Sequence, residues 1–267
     1  MSGSGHWERP GLADAIVAGL RETGKDLKAL GMDDLAVLDQ FHGGGIGASR
    51  GLARLLDPPA GARVLDVGGG LGGPARLLAA EHGCRVTVLD LTEDFLRAGQ
   101  VITALIGLED RVRFCRGNAL DLPFAPASFD VVWTQNSGMN IPDKRRLYAE
   151  MRRVLRPRGR LATQEPVVGP VAPPHYPLMW ADDASGSFLL RAGELRALLC
   201  ANGFAEQVWE ELAAQPARSA PPDGDVLTIQ QLVRGDRLAA IQAATSRNWE
   251  EGRLATIQAV LVRDTGP

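Results

Sequence analysis

Apolar and polar positions alternate along residues 63–212 in a way that predicts short strands separated by helices. The predicted strands are apolar runs bounded by glycine, proline or polar turns. They span Arg63–Val67, Arg85–Leu89, Arg111–Cys115, Asp130–Trp133, Arg160–Glu165 and Phe204–Glu211. Helices are predicted near Ala75–Glu81, Glu93–Leu105, Lys144–Leu155 and Glu194–Ala201. This alternation predicts an α/β fold in which helices cover both faces of a mostly parallel sheet.

The predicted helix near Lys144–Leu155 has the clearest local signals. Its apolar positions share one helical face, and they are Leu147, Met151, Val154 and Leu155. Asp143 precedes the helix as a predicted N-cap, and Pro157 with Gly159 ends it.

The N-terminal part of the chain is predicted to cover one end of the sheet. Residues 1–9 are rich in Gly and Ser and predict a frayed end, and residues 10–30 predict one or two short helices. Residues 39–47 predict a flexible loop, and residues 49–56 predict another short helix. We interpret residues 1–60 as a helical cap that carries a substrate loop.

The C-terminal part is predicted to complete a seven-stranded sheet. Residues 213–224 are rich in Ala, Pro and Gly and predict a loop, residues 226–251 predict a helix with a break, and residues 254–262 predict a last, antiparallel strand. Residues 61–267 thus form the predicted main domain. Its long segment near residues 166–187, between a strand and a helix, is predicted to be a functional lid.

The segment Val64–Pro74 is the most informative part of the sequence. An apolar strand ends there in a cluster of glycines, at Gly68, Gly69, Gly70, Gly72 and Gly73. Glycine lets the backbone turn tightly and approach a ligand closely, and proline suits the first position of a helix. A strand, a tight turn and a helix N-terminus in this order predict a site for a nucleotide-like cofactor at the carboxyl ends of the strands.

Two kinds of cofactor compete for this turn. Gly68, Gly70 and Gly73 have the G-x-G-x-x-G spacing, and Asp90 follows the first of them by 22 residues, as in dinucleotide sites. Asp66 argues against a dinucleotide, because a carboxylate beside the glycines repels a pyrophosphate. The same carboxylate favours S-adenosylmethionine (SAM), whose positive amino group needs a paired anion when it is poorly solvated.

Polar residues also follow the second and third predicted strands. The Asp90 carboxylate can accept both hydroxyls of an adenosine ribose, and Leu91 is placed to pack on a purine. Asp90 could instead cap the helix that follows, although capping leaves Asp66 unexplained. Asn118 and Ala119 are predicted to lie beside the adenine, with an ordinary Asx turn as the alternative.

The fourth predicted strand ends beside the first strand in a doubly wound sheet, at the mouth of the pocket. Gln135, Asn136 and Asn140 lie at the end of that strand. If the cofactor is SAM, they are therefore candidate polar groups near the methyl group that SAM transfers. Ordinary turn chemistry is the alternative for each of these side chains.

Composition limits the remaining classes. The chain has 267 residues and a net charge of −3, with 45% apolar and 23% charged residues, which is ordinary for a globular protein and gives no electrostatic sign of nucleic-acid binding. We find no membrane-spanning stretch and no secretory pattern, and therefore expect a cytoplasmic protein that does not act at a membrane. The three cysteines and four histidines are scattered, so no metal site is expected.

Five ordered signatures make residues 39–211 resemble class I SAM-dependent methyltransferases. They are Leu65–Gly70 with Gly72-Gly73, then Asp90, Asn118-Ala119, Ser128–Val132 and Leu155–Gly159. The resemblance implies a Rossmann-like sheet and transfer of a methyl group from SAM, with S-adenosylhomocysteine (SAH) as the product. The implied cofactor-binding residues are Asp66, Gly68, Gly69, Gly70, Gly72, Asp90, Leu91, Asn118, Ala119 and Gln135.

Within that family the chain is most similar to the small-molecule branch of sarcosine/dimethylglycine-type and natural-product methyltransferases. The matching residues are Asp39–His42, Trp133–Gln135, Met139–Ile141, His175–Pro177 and Trp180-Ala181. This similarity implies a small-molecule acceptor and favours N-methylation of an amine, with O- or C-methylation as the alternative. The partner is therefore expected to be a small molecule, and a homo-oligomer is possible.

The chain departs from its family at positions that bear on catalysis. Asn118 stands where aspartate is more common, and Asn136 stands where close relatives often carry histidine. A general base, where one is needed, would then be His42 or His175, so the candidate catalytic residues are His42, His175 and Asn136. Aromatic and polar residues are expected to line the acceptor site, namely Phe41, Asn140, Tyr176 and Trp180.

Two other classes of function stay open at this point. A dehydrogenase that uses a nicotinamide dinucleotide needs contacts to phosphates, which Asp66 opposes. A protein that binds SAM without catalysis remains possible because Asn136 lacks a basic side chain.

Overall fold

The computed structural model describes residues 7–212, apart from 23, 25 and 28, and residues 228–264. Its α-helices are α1 Leu12–Glu22, α2 Met32–Asp39, α3 Gly45–Leu56, α4 Gly73–His82, α5 Glu93–Leu105, α6 Lys144–Val154, α7 Ala192–Ala201, α8 Ile229–Arg234 and α9 Leu238–Glu250. Its strands are β1 Arg63–Val67, β2 Arg85–Asp90, β3 Val112–Arg116, β4 Phe129–Gln135, β5 Leu155–Val168, β6 Phe204–Leu212 and β7 Leu254–Arg263.

The strands form a seven-stranded sheet in the order β3-β2-β1-β4-β5-β7-β6. Strands β1 to β5 run parallel, and β7 is antiparallel to both β5 and β6. The predicted Rossmann-like α/β fold with an antiparallel last strand is thus confirmed. Because the strand order reverses between β1 and β4, the carboxyl ends of these two strands flank a crevice.

Helices cover both faces of the sheet, as the β-α alternation predicts. One face packs against α6 and α7, with Leu147, Tyr148 and Leu199 buried. The opposite face packs against α3 and α4, where Leu52 and Leu78 are buried. Parallel strands require this double cover because both of their faces are apolar.

Helix α6 shows how local signals set an element boundary. The Asp143 side chain accepts a hydrogen bond from the backbone amide of Arg146, at 2.9 Å, as expected of an N-cap. The helix ends at Val154, one residue earlier than predicted, because Leu155 already pairs with Phe129 of the neighbouring strand.

The N-terminal part differs most from the prediction. Helix α2 was not predicted, and α3 begins at Gly45, so the predicted flexible loop at 39–47 shrinks to residues 40–44. The reason is tertiary packing: Leu35 and Leu38 are fully buried in a cluster with α1, α5 and α8. Such burial stabilises short helices whose own propensity is weak.

Some predictions fall partly or wholly outside the described residues. Among them are most of the frayed end at 1–9 and the loop at 213–224. The break predicted within residues 226–251 is present, because α8 and α9 are separated by a 3₁₀ turn, Gly235–Arg237. Across the described part of the chain, no helix is long and apolar enough to span a membrane.

Candidate functional site

The glycine turn lies at the carboxyl end of β1 and leads into α4. Gly68, Gly70 and Gly72 adopt φ values of +70°, +53° and +76°, which only glycine adopts without strain. The amide of Gly68 donates to the Leu89 carbonyl at 2.8 Å, so the turn is fixed to the end of β2. Because the turn follows the carboxyl end of β1, the N-terminus of α4 lies beside the crevice between β1 and β4.

Close packing gives the glycines a second role that the sequence did not indicate. A Cβ atom at Gly69 would lie 2.5 Å from Oδ2 of Asp66, and one at Gly68 would lie 2.5 Å from Cβ of Ser137. A Cβ atom at Gly73 would lie 2.5 Å from Nε2 of Gln40. These glycines therefore make room for protein side chains as well as for a ligand.

Asp66 is a buried carboxyl group that lacks a partner on one of its oxygens. The residue is 1% exposed, and its Oδ2 atom makes no hydrogen bond. Burial, reinforced by the negative charge of Asp90, raises the pKa of Asp66 from 3.8 to about 8, although Arg76 opposes the shift. A buried anion without a counterion is unfavourable, so this position favours a cationic ligand.

Asp90 holds the turn and the start of the next helix together. Its Oδ2 atom accepts the Gly70 amide at 3.0 Å, and its Oδ1 atom accepts the Thr92 amide at 2.9 Å. Burial raises the pKa of Asp90, and these backbone amides oppose the shift. A carboxylate has lone pairs left after two such bonds, so structural support and ribose binding are compatible. The neighbouring Leu91 is 49% exposed.

The turn after β3 is an Asx turn. The Asn118 side-chain oxygen accepts the Leu120 amide at 2.9 Å, and Ala119 is buried beneath it. Asn118 itself is exposed. The alternative of ordinary turn chemistry therefore holds for Asn118, while its side-chain amide group stays accessible to a ligand.

A network of uncharged polar side chains lies beside the carboxyl ends of β4 and β5. The Gln135 side-chain oxygen accepts Ser49 Oγ at 3.1 Å and Trp133 Nε1 at 3.0 Å. Nε2 of Gln258, on β7, donates to Oε1 of Gln164, on β5, at 2.7 Å. Sequence reasoning missed Ser49, Gln164 and Gln258, whose partners are remote in the chain. Gln135 is thus a buried member of the wall, held by protein groups.

His42 belongs to the same network. Its Nε2 atom lies 3.0 Å from Ser49 Oγ and 3.0 Å from Gln40 Oε1, and its Nδ1 atom lies 3.2 Å from the Gly43 carbonyl oxygen. Burial lowers the pKa of His42 to about 4, against the opposing effect of the Gly43 carbonyl. The imidazole is therefore neutral at physiological pH.

The structure brings His42 and Asn136 into one network. Nε2 of Gln164 donates to Oδ1 of Asn136 and to the Gly43 carbonyl, both at 3.0 Å. Asn136 has a φ of +51°, an uncommon value that asparagine tolerates better than most residues. The side chain of Asn140 donates to the Ser137 carbonyl at 3.3 Å, so it helps close the turn.

Phe41 lies in an aromatic cluster beside the glycine turn. Its ring packs edge-on against Trp7 and Phe95, with centroids 5.8 Å and 6.1 Å away. Phe95 in turn lies 3.6 Å from the Cβ position of Gly70. Trp7 was not among the predicted residues, since an isolated tryptophan near the N-terminus carries no pattern that marks it.

His175 and Trp180, both predicted to lie in the lid, have partners in different parts of the structure. His175 Nε2 lies 2.8 Å from the Glu251 carboxylate, and the His175 backbone amide donates to Asn248 at 2.7 Å. The histidine is therefore held by the end of α9, outside the His42 network. Trp180 Nε1 donates to Ser187 Oγ at 3.0 Å, within the lid. Tyr176 is half-buried.

The middle of the chain is similar to known methyltransferases. A family model described as a methyltransferase domain matches residues 65–163. Over 105 residues the chain is 41% identical to a glycine/sarcosine/dimethylglycine N-methyltransferase of Actinopolyspora halophila, covering 39% of this chain and 19% of that protein. Over 135 residues it is 39% identical to methyltransferase GfsG of Streptomyces halstedii, covering 51% of this chain and 49% of that protein. The matches thus span about half or less of these relatives.

Solved structures share the fold. A geranyl diphosphate C-methyltransferase of Streptomyces coelicolor A3(2), in complex with Mg²⁺, geranyl diphosphate and SAH, aligns with a TM-score of 0.63 at 20% identity, covering 81% of this chain and 79% of that one. A phosphoethanolamine N-methyltransferase of Haemonchus contortus, in complex with SAM, aligns with a TM-score of 0.67 at 19% identity, covering 94% and 60%. At this identity the likeness establishes the fold.

Proposed function

Because residues 65–163 carry a methyltransferase domain, we propose that the chain transfers the methyl group of SAM to a small-molecule acceptor. The observation that carries this proposal is Asp66, a buried carboxyl group with an unpartnered oxygen beside the glycine turn. The methionine part of SAM has a positive amino group and no phosphate. An anion at this position therefore favours SAM over a dinucleotide.

The surrounding residues suit the rest of such a cofactor. The turn formed by Gly68, Gly69, Gly70 and Gly72 would hold the methionine part through its backbone, with Asp66 paired to the ammonium group. Asp90 would accept the ribose hydroxyls with its remaining lone pairs. Leu91 would cover the adenine, which accounts for its exposure. Asn118 and Ala119 would line the adenine edge.

We place the acceptor on the side of the β4 turn. Gln135 forms the wall there, and Asn136 and Asn140 provide polar groups around the transferred methyl. SAM supplies an electrophilic methyl on a sulfonium, whose leaving group is neutral. The protein has only to align the nucleophile with the C–S bond and exclude water, and positioning supplies much of the acceleration.

His42 is the base that this arrangement favours. Its neutral imidazole shares the Gln164 network with Asn136, whereas His175 pairs with Glu251. A histidine whose pKa is lowered to about 4 is a weak base. An amine needs to present only a free lone pair, while a hydroxyl or a carbon acid needs a stronger base. We therefore favour N-methylation of an amine.

O- or C-methylation remains the second candidate, because the acceptor wall formed by Gln135, Gln164 and Gln258 is uncharged and offers no carboxylate to a cationic amine. Aromatic residues would complete either acceptor site. We propose Phe41 from the cap at residues 1–60, and Tyr176 and Trp180 from the lid near 166–187, with residues 61–267 as the main domain.

Calorimetric titration with SAH, beside a titration with NAD, tests the cofactor. We expect micromolar binding of SAH and no binding of NAD. Binding of NAD alone would move the chain to the dehydrogenases. Incubation with methyl-labelled SAM and a panel of sarcosine, dimethylglycine, phenols and carbon acids then tests the acceptor. Transfer to an amine supports N-methylation, while SAH binding without transfer to any member supports the non-catalytic class.

A further inference from the structure

A buried carboxylate lies directly beneath the turn that follows β4. Glu165, near the end of β5, is 3% exposed. Its Oε1 atom accepts the Gly138 amide at 2.9 Å, and the backbone amides of Ser137 and Met139 also face the carboxylate. Side chains of successive strand residues lie on opposite faces of a sheet. Glu165 is therefore on the face opposite Gln164 and the His42 network.

A lysine holds the carbonyls of the same turn. The Lys144 ammonium donates to the Gly138 carbonyl at 2.6 Å and also to the Ile141 carbonyl. The amides of the turn therefore point to an anion and its carbonyls point to a cation. Hydrogen bonds to charged groups are about twice as strong as neutral ones, so the pair fixes the turn from both sides.

The residue that directly follows the predicted lid, Phe188, is fixed to this turn. The backbone amide of Phe188 donates to the Met139 carbonyl at 2.9 Å, and the Lys144 ammonium lies 5.8 Å from the centroid of the Phe188 ring. Tyr148, Glu165 and Leu190 line a small cavity of about 10 Å³ between the turn and the lid. Glu165 and Lys144 thus lie where the lid meets the sheet.

The same turn borders the proposed methyl-transfer site. Ser137 packs against the glycine turn, since a Cβ at Gly68 would lie 2.5 Å from the Ser137 Cβ. A Cβ at Gly138 would lie 2.8 Å from Oε1 of Glu165, so the carboxylate also packs tightly against the turn. A shift of this turn would move Asn136 and Asn140 relative to the cofactor.

We propose that Glu165 and Lys144 are positioning residues: these two opposite charges, each bonded to the backbone of the turn at residues 137–140, set that turn against the glycine turn and couple it to the lid. The assignment rests on the proposed function for its role in methyl transfer. Neither side chain touches the reacting atoms in this proposal. They act through the backbone of the turn.

The negative charge of Glu165 is the property that would hold the turn, as distinct from the size of the side chain. Burial raises the pKa of Glu165, opposed by the turn amides and by Lys144, and burial lowers the pKa of Lys144. Among the described residues Tyr148 also faces the pair, and its pKa is raised well above its ordinary value, so it stays neutral. The turn amides bind the charged carboxylate better than the neutral acid, so removal of the charge by substitution should weaken these bonds.

Hydrogen exchange measured by NMR on the full-length protein tests this proposal without an acceptor. In Glu165→Gln we expect the amides of Gly138, Met139 and Phe188 to exchange about 10- to 100-fold faster, the loss expected for charge-assisted bonds. Glu165→Asp, which keeps the negative charge, should restore part of the protection.

Asp130→Asn is the matched control. Asp130 accepts the Arg63 amide at 2.7 Å and pairs with Arg156 at 2.6 Å, at the opposite end of the strands. It should lower stability without a selective change at the β4 turn. Unchanged protection at Gly138 and Phe188 in Glu165→Gln would overturn the positioning role, as would a loss equal to that in the control. Absence of SAH binding to wild-type protein would instead overturn the proposed function.

Discussion

Replacement of Asp66 by asparagine should make the ligand-free protein more stable while it weakens cofactor binding. A pKa raised from 3.8 to about 8 means that the folded state holds this proton more tightly than the unfolded chain does. Stability is therefore lost as the pH rises between about 4 and 8, by up to about 5 kcal/mol at about 1.4 kcal/mol per tenfold change. Asp66→Asn removes that cost.

The size of the net gain follows from what asparagine brings in. A buried amide that lacks full hydrogen bonding costs about 1–3 kcal/mol. We therefore expect a net stabilisation of about 2–4 kcal/mol at pH 8, a rise of about 4–16 °C in Tm for a chain of this size. The pH dependence of Tm between pH 6 and pH 8 should also become flatter in Asp66→Asn.

Binding should change in the opposite direction. Loss of a hydrogen bond to a charged group costs about 1.5–3 kcal/mol, so SAH should bind about 10- to 150-fold more weakly. Wild-type affinity should rise from pH 6 to pH 8, because the Asp66 carboxyl must lose its proton to pair with the ammonium group. Asp66→Asn should lack that rise.

Calorimetry and thermal denaturation, each at pH 6, 7 and 8, measure both effects on the same samples. Asp130→Asn is again the control, because its carboxylate is paired with Arg156 and its loss should only destabilise. An Asp66→Asn variant that binds SAH as tightly as the wild type, with the same pH dependence, would refute the pairing of Asp66 with the ammonium. A fall in Tm at pH 8 would refute the assignment of Asp66 as an uncompensated buried acid.

Three further changes test other parts of the site. Gly69→Ala places a Cβ 2.5 Å from the Asp66 carboxylate, so it should cost about 1–3 kcal/mol in denaturant unfolding and weaken SAH binding in calorimetry. Asp90→Asn loses the charge that accepts the Gly70 amide and should weaken SAH binding about tenfold; a change in turnover alone would contradict its ribose role. His42→Asn should change kcat little with an amine acceptor, which needs no base, but should lower it about 100-fold with a hydroxyl or carbon acid, while the Kd for SAH stays within about threefold; a large loss with an amine would contradict the argument for N-methylation.

The sequence predicts the parts of this site that have local causes. The glycine turn and Asp90 follow predicted strands, and a strand end fixes where such residues lie in a parallel sheet. The N-cap at Asp143 and the break at Gly235 are likewise local signals. Helix α2 escaped prediction because its formation depends on burial of Leu35 and Leu38 against distant elements.

The polar network escaped prediction for a related reason. Ser49 and Gln135 are 86 residues apart, and Gln164 and Gln258 are 94 residues apart. A glutamine in a strand is read from sequence as a solvent-facing position, and only the pairing of β5 with β7 brings two of them together in the interior. Once buried, each amide requires a hydrogen-bond partner. The burial of each of these residues therefore depends on the other, and the sequence around either one alone does not predict it.

The distribution of buried charge explains why Asp66 is the informative residue of this site. Arg76 is fully buried and pairs with Asp39 at 2.9 Å, with both side chains at 0% exposure. Its remaining donors go to the Leu71 carbonyl and to Thr103 Oγ1. Arg76 is thus already paired with Asp39, and its charge lowers the pKa of Asp66 by less than burial raises it. A buried carboxyl group that the protein does not neutralise needs either a proton or a ligand cation beside it, and the ammonium group of SAM is such a cation.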